Sequence, residues 1–311
     1  MPKVLISDSL SNLAEEIFKK NNIKVDVITD LKPQELIKII NNYDGLVVRS
    51  ATKATDEIIS AGTNLKIIGR AGAGVDNIDL VSAKKNNVIV MNTPGGNTNA
   101  TAEHTLSLLL SLFRNIPNAN SGTHDGLWEK KKFKGLELRG KKVGIIGFGN
   151  VGKRFSEISL GLGMKVFVYS ESFNSIKDNY PNIVSLSLSE LISDSDIVSF
   201  HCKPPKDNKP IINMDEIKSM KKNAVIINTA RGNLVNEKDL KIALEENLIL
   251  GAALDVFSEE PAKNNLLFGC KNLILTPHIA ASTVESQLIV AEMVANQMSD
   301  YFNNGSTKNT V

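Results

Sequence analysis

Hydrophobic positions in this chain come in short, mostly β-branched runs, separated by stretches whose apolar residues recur at helical spacing. Over the first hundred residues the runs are 4–6, 25–28, 46–48, 65–68 and 88–90, with amphipathic stretches at 11–20, 33–41, 55–61 and 79–86. A run that is apolar throughout belongs to a strand covered on both faces. Such strands joined by helices build a parallel sheet. Residues 92–97 break the pattern with turn formers, and one long apolar helix is expected over 99–115. A second series follows, with strands expected at 142–146, 165–169, 196–200, 224–228, 250–255 and 272–275 and a last helix over 282–301. That helix lies beyond the final strand, so it can return to the first domain. The expected fold class is α/β, with two doubly wound parallel-sheet domains. One comprises residues 1–98 with 285–311, the other residues 99–284.

The second series opens with a strand that runs into Gly147-Phe148-Gly149-Asn150-Val151-Gly152 and then a helix-compatible stretch. In that setting three glycines have separate jobs. The first permits the tight turn, the second lets the backbone approach a pyrophosphate, and the third lets helix and strand pack closely. The unpaired N–H groups of the helix N-terminus then face the anion. A dinucleotide is therefore expected at this loop.

Ligands of doubly wound sheets sit beyond the carboxyl ends of the strands. In the second series those ends carry Thr229-Ala230-Arg231-Gly232, then Asp255 followed by Glu259 and Glu260, then Thr276-Pro277-His278. An arginine, carboxylates and a histidine thus share the edge that carries the glycine loop. Oxidising a secondary alcohol requires loss of the hydroxyl proton as hydride leaves, and histidine is the usual base near neutral pH. His278 is the expected base and Glu260 its carboxylate partner. Arg231, with its planar fork, is expected to hold a substrate carboxylate and polarise the carbonyl oxygen. Asp255 could reach the nicotinamide amide, and His201 is expected to line the cofactor. His104 on the long helix and His124 in a polar loop are expected to stand outside the chemistry.

Composition narrows the setting. A net charge of +2 argues against nucleic acid or a membrane surface as the main partner. No run approaches the length of a membrane span, and the N-terminus lacks the apolar core of a secretory signal. Two cysteines, Cys202 and Cys270, have no metal-ligand spacing, so free thiols in a reducing cytoplasm are expected, with no metal. The basic run Lys130-Lys131-Lys132 with Lys134 is the one local charge excess.

The chain resembles the D-isomer-specific 2-hydroxyacid dehydrogenases over nearly its whole length. The stretches that carry the resemblance are 48–53, Gly69-Arg70-Ala71-Gly72-Ala73-Gly74-Val75-Asp76-Asn77, 91–94, Trp128-Glu129-Lys130-Lys131-Lys132-Phe133, 251–257 and Pro277-His278. It implies a flavodoxin-like substrate domain and a Rossmann NAD-binding domain, with Arg231, Glu260 and His278 at the catalytic positions. It places NAD against Gly147, Gly149, Asn150, Val151, Gly152, Ser170, Glu171, His201, Cys202, Asn208, Thr229, Ala230, Asp255 and Ala280. Substrate would meet Arg49, Ser50, Ala73 and Gly74 as well as Arg231 and His278. The tryptophan-lysine stretch and the Gly-Arg-Ala-Gly loop look like a branch that takes a phosphorylated 2-hydroxy acid. The Lys130–Lys132 run resembles a segment that reaches the partner subunit in homodimers of the family.

Three departures bear on those expectations. Strand 165–169 is followed by Ser170-Glu171 where the family usually has aspartate for the ribose hydroxyls, so Glu171 is expected to take that part and NAD is favoured over NADP. Ala280 stands where glycine is common. The chain ends at Val311, whereas longer members continue into regulatory domains, so a short form without a feedback site is expected. Two rival readings share these residues: a glyoxylate or hydroxypyruvate reductase without phosphate recognition, and an NAD(H)-sensing corepressor-like binding protein.

Overall fold

A computed structural model describes residues 1–311 and divides them into two compact units, 1–97 with 282–311, and 98–281. The first unit carries β1 (Lys3–Ile6), α1 (Leu13–Lys20), β2 (Lys24–Val27), α2 (Pro33–Ile39), β3 (Gly45–Val48), α3 (Asp56–Ala61), β4 (Ile67–Arg70), α4 (Leu80–Lys85) and β5 (Ile89–Met91). Its five strands pair in the order β2-β1-β3-β4-β5, all parallel. Alternate residues of one strand serve opposite faces, as the two-residue period of a strand requires. In β3, Leu46 and Val48 join the core under α2, α3 and α4, while Val47 joins the core on the other face.

The second unit carries α5 (Thr98–Phe113), α6 (Ile116–His124), β6 (Lys142–Ile146), α7 (Asn150–Gly161), β7 (Lys165–Tyr169), β8 (Ile183–Ser185), α8 (Leu188–Asp194), β9 (Ile197–Phe200), α9 (Met214–Ser219), β10 (Val225–Asn228), α10 (Glu237–Glu245), β11 (Gly251–Leu254) and β12 (Leu273–Leu275). Its seven strands pair in parallel in the order β12-β11-β10-β9-β6-β7-β8. Strand order therefore reverses between β6 and β9, and the loops after both strands flank that switch point. β10 is buried along its whole length, with Ile226 in one core and Val225 and Ile227 in the other.

The last helix, α11 (Val284–Asn304), packs in the first unit. Val290, Val294 and Met298 join the core with Val4, Ile6 and Val47. Ser286 Oγ donates to Gly96 O, and Gln297 Nε2 donates to Asn92 O.

Two elements have no counterpart in the sequence pattern. β8 reads Ile-Val-Ser in a serine-rich stretch, with Val184 exposed. α6 reads Ile-Pro-Asn-Ala-Asn-Ser-Gly-Thr-His, a composition poor in helix formers. His124, expected in a polar loop, closes that helix. No helix is long and apolar enough to cross a membrane.

Candidate active site

The glycine loop shows three glycines under three constraints. Gly147 has φ +96°, and a Cβ there would lie 2.6 Å from His201 O and 2.7 Å from Cys202 Cβ. A Cβ at Gly152 would lie 2.2 Å from Gly147 O. These two are demanded by turn geometry and helix packing. Gly149, the N-cap of α7, has ordinary extended angles, and a Cβ there would meet nothing within 4 Å. Nothing inside the protein requires glycine at 149. The open space beside a helix N-terminus is the requirement, and a pyrophosphate fits it. Asn150 opens the helix and Val151 packs against the core beneath it.

At the same carboxyl edge of the sheet, His278 Nδ1 and Glu260 Oε2 lie 2.6 Å apart. Glu260 Oε1 accepts from the backbone N–H of Phe257 at 3.0 Å. Burial opposes the charge on Glu260, but the hydrogen bond from His278 and the one from Phe257 outweigh it, and its pKa lies below the ordinary value. An ionised Glu260 accepts a proton-bearing Nδ1, which fixes the imidazole tautomer and leaves Nε2 as the nitrogen with a free lone pair. The ring is partly open to solvent.

The loop that presents His278 is shaped by Asp255, which is fully buried. Asp255 Oδ1 accepts from Thr276 Oγ1 at 2.6 Å and from Ile279 N at 2.9 Å, and Oδ2 accepts from Ala280 N at 2.8 Å. His278 itself has φ +54°, with its N–H donating to Asp255 O. The loop thus turns around one carboxylate. His104 Nε2 on α5 lies 3.4 Å from Asp255 Oδ1 and 3.1 Å from Thr276 Oγ1. Burial pushes the Asp255 carboxyl up, but His104, Thr276 and the two backbone donors together bring it below its ordinary value. An anchoring duty for Asp255, and the place of His104 beside it, were not visible in the sequence.

Arg231 follows β10 and its Nη1 donates to Ala230 O at 2.6 Å. The next residue, Gly232, sits so close to the β11 loop that a Cβ would lie 1.8 Å from Phe257 C and 1.9 Å from Phe257 O. Phe257 is the residue whose N–H holds Glu260. The arginine loop and the glutamate loop are therefore in backbone contact, one residue from Arg231.

The remaining residues expected around the cofactor are placed as follows. His201 follows β9, with Nε2 2.9 Å from Ser199 Oγ and its ring against Phe155; burial pushes its pKa down to about 3, so it is a neutral group. Burial pushes the Cys202 thiol up to about 11. Thr229 Oγ1 is 2.8 Å from Thr105 Oγ1 on α5, and Ala230 N donates to Asn228 Oδ1. Ser170 Oγ is 3.2 Å from Ser172 Oγ, while Glu171 is exposed just past β7. Asn208 Oδ1 accepts from Asn233 Nδ2. Ala280 is buried.

In the first unit, Arg49 and Ser50 follow β3. Asp8, just past β1, accepts from Arg49 N, from Thr52 N and from Thr52 Oγ1, and Asn77 Nδ2 donates to the carbonyls of Arg49 and Thr52. Ala73 O accepts from Asn92 Nδ2 at 2.6 Å. Asp8 escaped the sequence reading, although a carboxylate at a strand end was the signal that singled out Asp255.

Residues 106–280 match the family model described as D-isomer specific 2-hydroxyacid dehydrogenase, NAD binding domain. The chain belongs to the D-isomer-specific 2-hydroxyacid dehydrogenase family. Its second unit is the family's NAD-binding domain, and the open ground at Gly149 fits that cofactor. The chain is 41% identical over 300 residues to the D-3-phosphoglycerate dehydrogenase of Synechocystis, covering 96% of this chain and 54% of that protein. It is 39% identical over 297 residues to the protein of the same name from Archaeoglobus fulgidus, covering 95% of this chain and 56% of that one. It spans about half the length of these curated relatives. Among solved structures, NAD+-bound 3-phosphoglycerate dehydrogenase of Entamoeba histolytica aligns with TM-score 0.85 and 33% identity, over 100% of this chain and 98% of that one. The 2-hydroxyacid dehydrogenase assignment thus rests on both sequence and fold.

Proposed function

We propose that this protein oxidises 3-phospho-D-glycerate to 3-phosphohydroxypyruvate with NAD, the reaction that opens serine biosynthesis. The observation that carries the chemistry is the 2.6 Å pair of His278 Nδ1 and Glu260 Oε2 on the strand edge of an NAD-binding domain. The substrate comes from the relatives, which are named for phosphoglycerate.

NAD, when bound, supplies the acceptor for the hydride that leaves the substrate's C2. His278 Nε2 takes the hydroxyl proton as the C2–O bond becomes a carbonyl, and the ionised Glu260 stabilises the resulting imidazolium. Arg231 holds the substrate carboxylate and, in the reverse direction, polarises the keto oxygen on which negative charge develops. We assign the remaining carboxylate contacts to the Ala73-Gly74 backbone and phosphate recognition to Arg49 and the Lys130–Lys132 run, with Ser50 also at the substrate. Cofactor contacts fall to the residues named above, with Glu171 on the ribose hydroxyls.

A homodimer in the cytoplasm belongs to the same reading. It is supported by an apolar surface on the second unit, where Leu110, Ile116, Leu127 and Trp128 are exposed. The testing experiment is NADH-linked reduction of 3-phosphohydroxypyruvate, run beside hydroxypyruvate and glyoxylate and repeated with NADPH. The proposal expects kcat/KM at least tenfold higher on the phosphorylated keto acid and with NADH. Equal rates on hydroxypyruvate would make the protein a general reductase. NADH binding with no turnover of any 2-keto acid would make it a sensor.

A further inference from the structure

Glu237, the first residue of α10, is one of the few buried carboxylates in the molecule and takes no part in the chemistry above. Its two oxygens point at one loop. Oε1 accepts from Ser258 N at 2.7 Å, and Oε2 accepts from Asn265 Nδ2 at 2.8 Å. Asn265 is itself oriented by accepting from Leu267 N. The span between these grips, 258–265, carries Glu260.

The glutamate loop is therefore fixed at three places. Gly232 presses on the backbone at Phe257 and Ser258, Glu237 takes Ser258 N, and Glu237 also takes Asn265. Glu237 and Gly232 both follow β10 on the segment that bears Arg231. A carboxylate with two acceptors can span two donors at once. An aliphatic residue of the same size would take away the acceptor that Ser258 N–H and Asn265 Nδ2 share. We infer that Glu237 is a positioning residue that holds the Glu260 loop in register with the Arg231 loop, and so keeps Glu260 at hydrogen-bonding distance from His278. This inference rests on the proposed roles of His278 and Glu260.

The test uses the full chain and compares Glu237→Ala, Glu237→Gln and Asn265→Ala with wild type and with Glu260→Gln. Four quantities are read: kcat and KM for NADH-linked reduction of 3-phosphohydroxypyruvate, the midpoint of the pH–rate profile, the NADH Kd by fluorescence, and Tm. Losing the charge beside the imidazole makes its protonated form less favoured, so Glu260→Gln moves the midpoint to lower pH by about one unit. Glu237→Ala is expected to move it the same way, with kcat down on the order of tenfold to a hundredfold. NADH Kd should stay within about twofold, because the glycine loop is untouched. Glu237→Gln, which keeps one acceptor for Ser258 N–H, is expected to recover most of both losses, and Asn265→Ala to show a smaller shift in the same direction. A lower Tm with an unmoved midpoint in Glu237→Ala would overturn the inference. If that variant does not fold, an unmoved midpoint in Asn265→Ala would overturn it. An unmoved midpoint in Glu260→Gln would instead overturn the catalytic pair, and the inference with it.

Discussion

At the scale of single residues, the site is a set of small decisions about where a proton sits. In the proposed chemistry His278 donates from Nδ1 to an ionised Glu260, which leaves Nε2 to take the proton. Replacing His278 with alanine should lower kcat on the order of 10²–10⁴-fold while leaving NADH Kd within about twofold, measured by turnover and fluorescence titration. Retained turnover within threefold would remove His278 from the chemistry. Asp255 yields a prediction about stability rather than rate. Its folded pKa is depressed, so its stabilisation is fully present above the ordinary carboxylate value of about 4 and is lost as pH falls through the lower folded value. Asp255→Asn should therefore cost about 1–3 kcal/mol at pH 7, and the Tm curves of variant and wild type should converge in acid. The sequence pointed to these candidate groups, because Arg231, Asp255 and His278 come just after strands and Glu260 lies in the loop after β11. It could not show what holds them. The partners of Asp255, Glu237 and Asp8 are mostly backbone N–H groups and distant side chains, and such donors leave no mark in a residue pattern.

At the scale of elements, the β-strands were legible because strands buried on both faces read as unbroken apolar runs. β8 was not, since Ile-Val-Ser sits in a serine-rich stretch with Val184 exposed, and α6 was hidden by a composition that favours turns. The glycine loop marks the same boundary. The motif says that three glycines occur, while the folded loop says that they are not equivalent. Gly147 and Gly152 answer to contacts inside the protein, and Gly149 answers to open space. Alanine at 149 should consequently leave the Tm of the ligand-free protein within about 1 °C, a surface-like change. Its methyl group would still stand where a pyrophosphate must approach, and NADH Kd should rise about tenfold or more. Alanine at 152 should instead destabilise by about 1–3 kcal/mol, because a methyl group 2.2 Å from Gly147 O forces helix and strand apart. Thermal melts with and without NADH separate the two effects. A large Tm loss in Gly149→Ala would mean that the loop's glycines share one structural purpose after all.

At the scale of the whole molecule, exposed apolar residues occur on both units, and several of them fall in the segment that joins α5 to the glycine-loop strand. Leu110 lies on α5 and Ile116 opens α6, while Leu127 and Trp128 follow α6, so they occupy one continuous stretch of the second unit. Trp128 is the most exposed of the large apolar side chains, at 86%, and aromatic side chains of that kind are common anchors at protein interfaces. A closed pair of identical chains is one simple way to cover such residues. Because aromatic anchors carry most of the energy at such interfaces, one substitution should be enough to test the idea. Sedimentation equilibrium should give twice the chain mass for the native protein at micromolar concentration. Trp128→Glu should shift the population toward single chains while NADH still binds with an unchanged Kd. A native protein that sediments as one chain at these concentrations would sink the dimer. A Trp128→Glu variant that remains fully dimeric would place the interface on another surface.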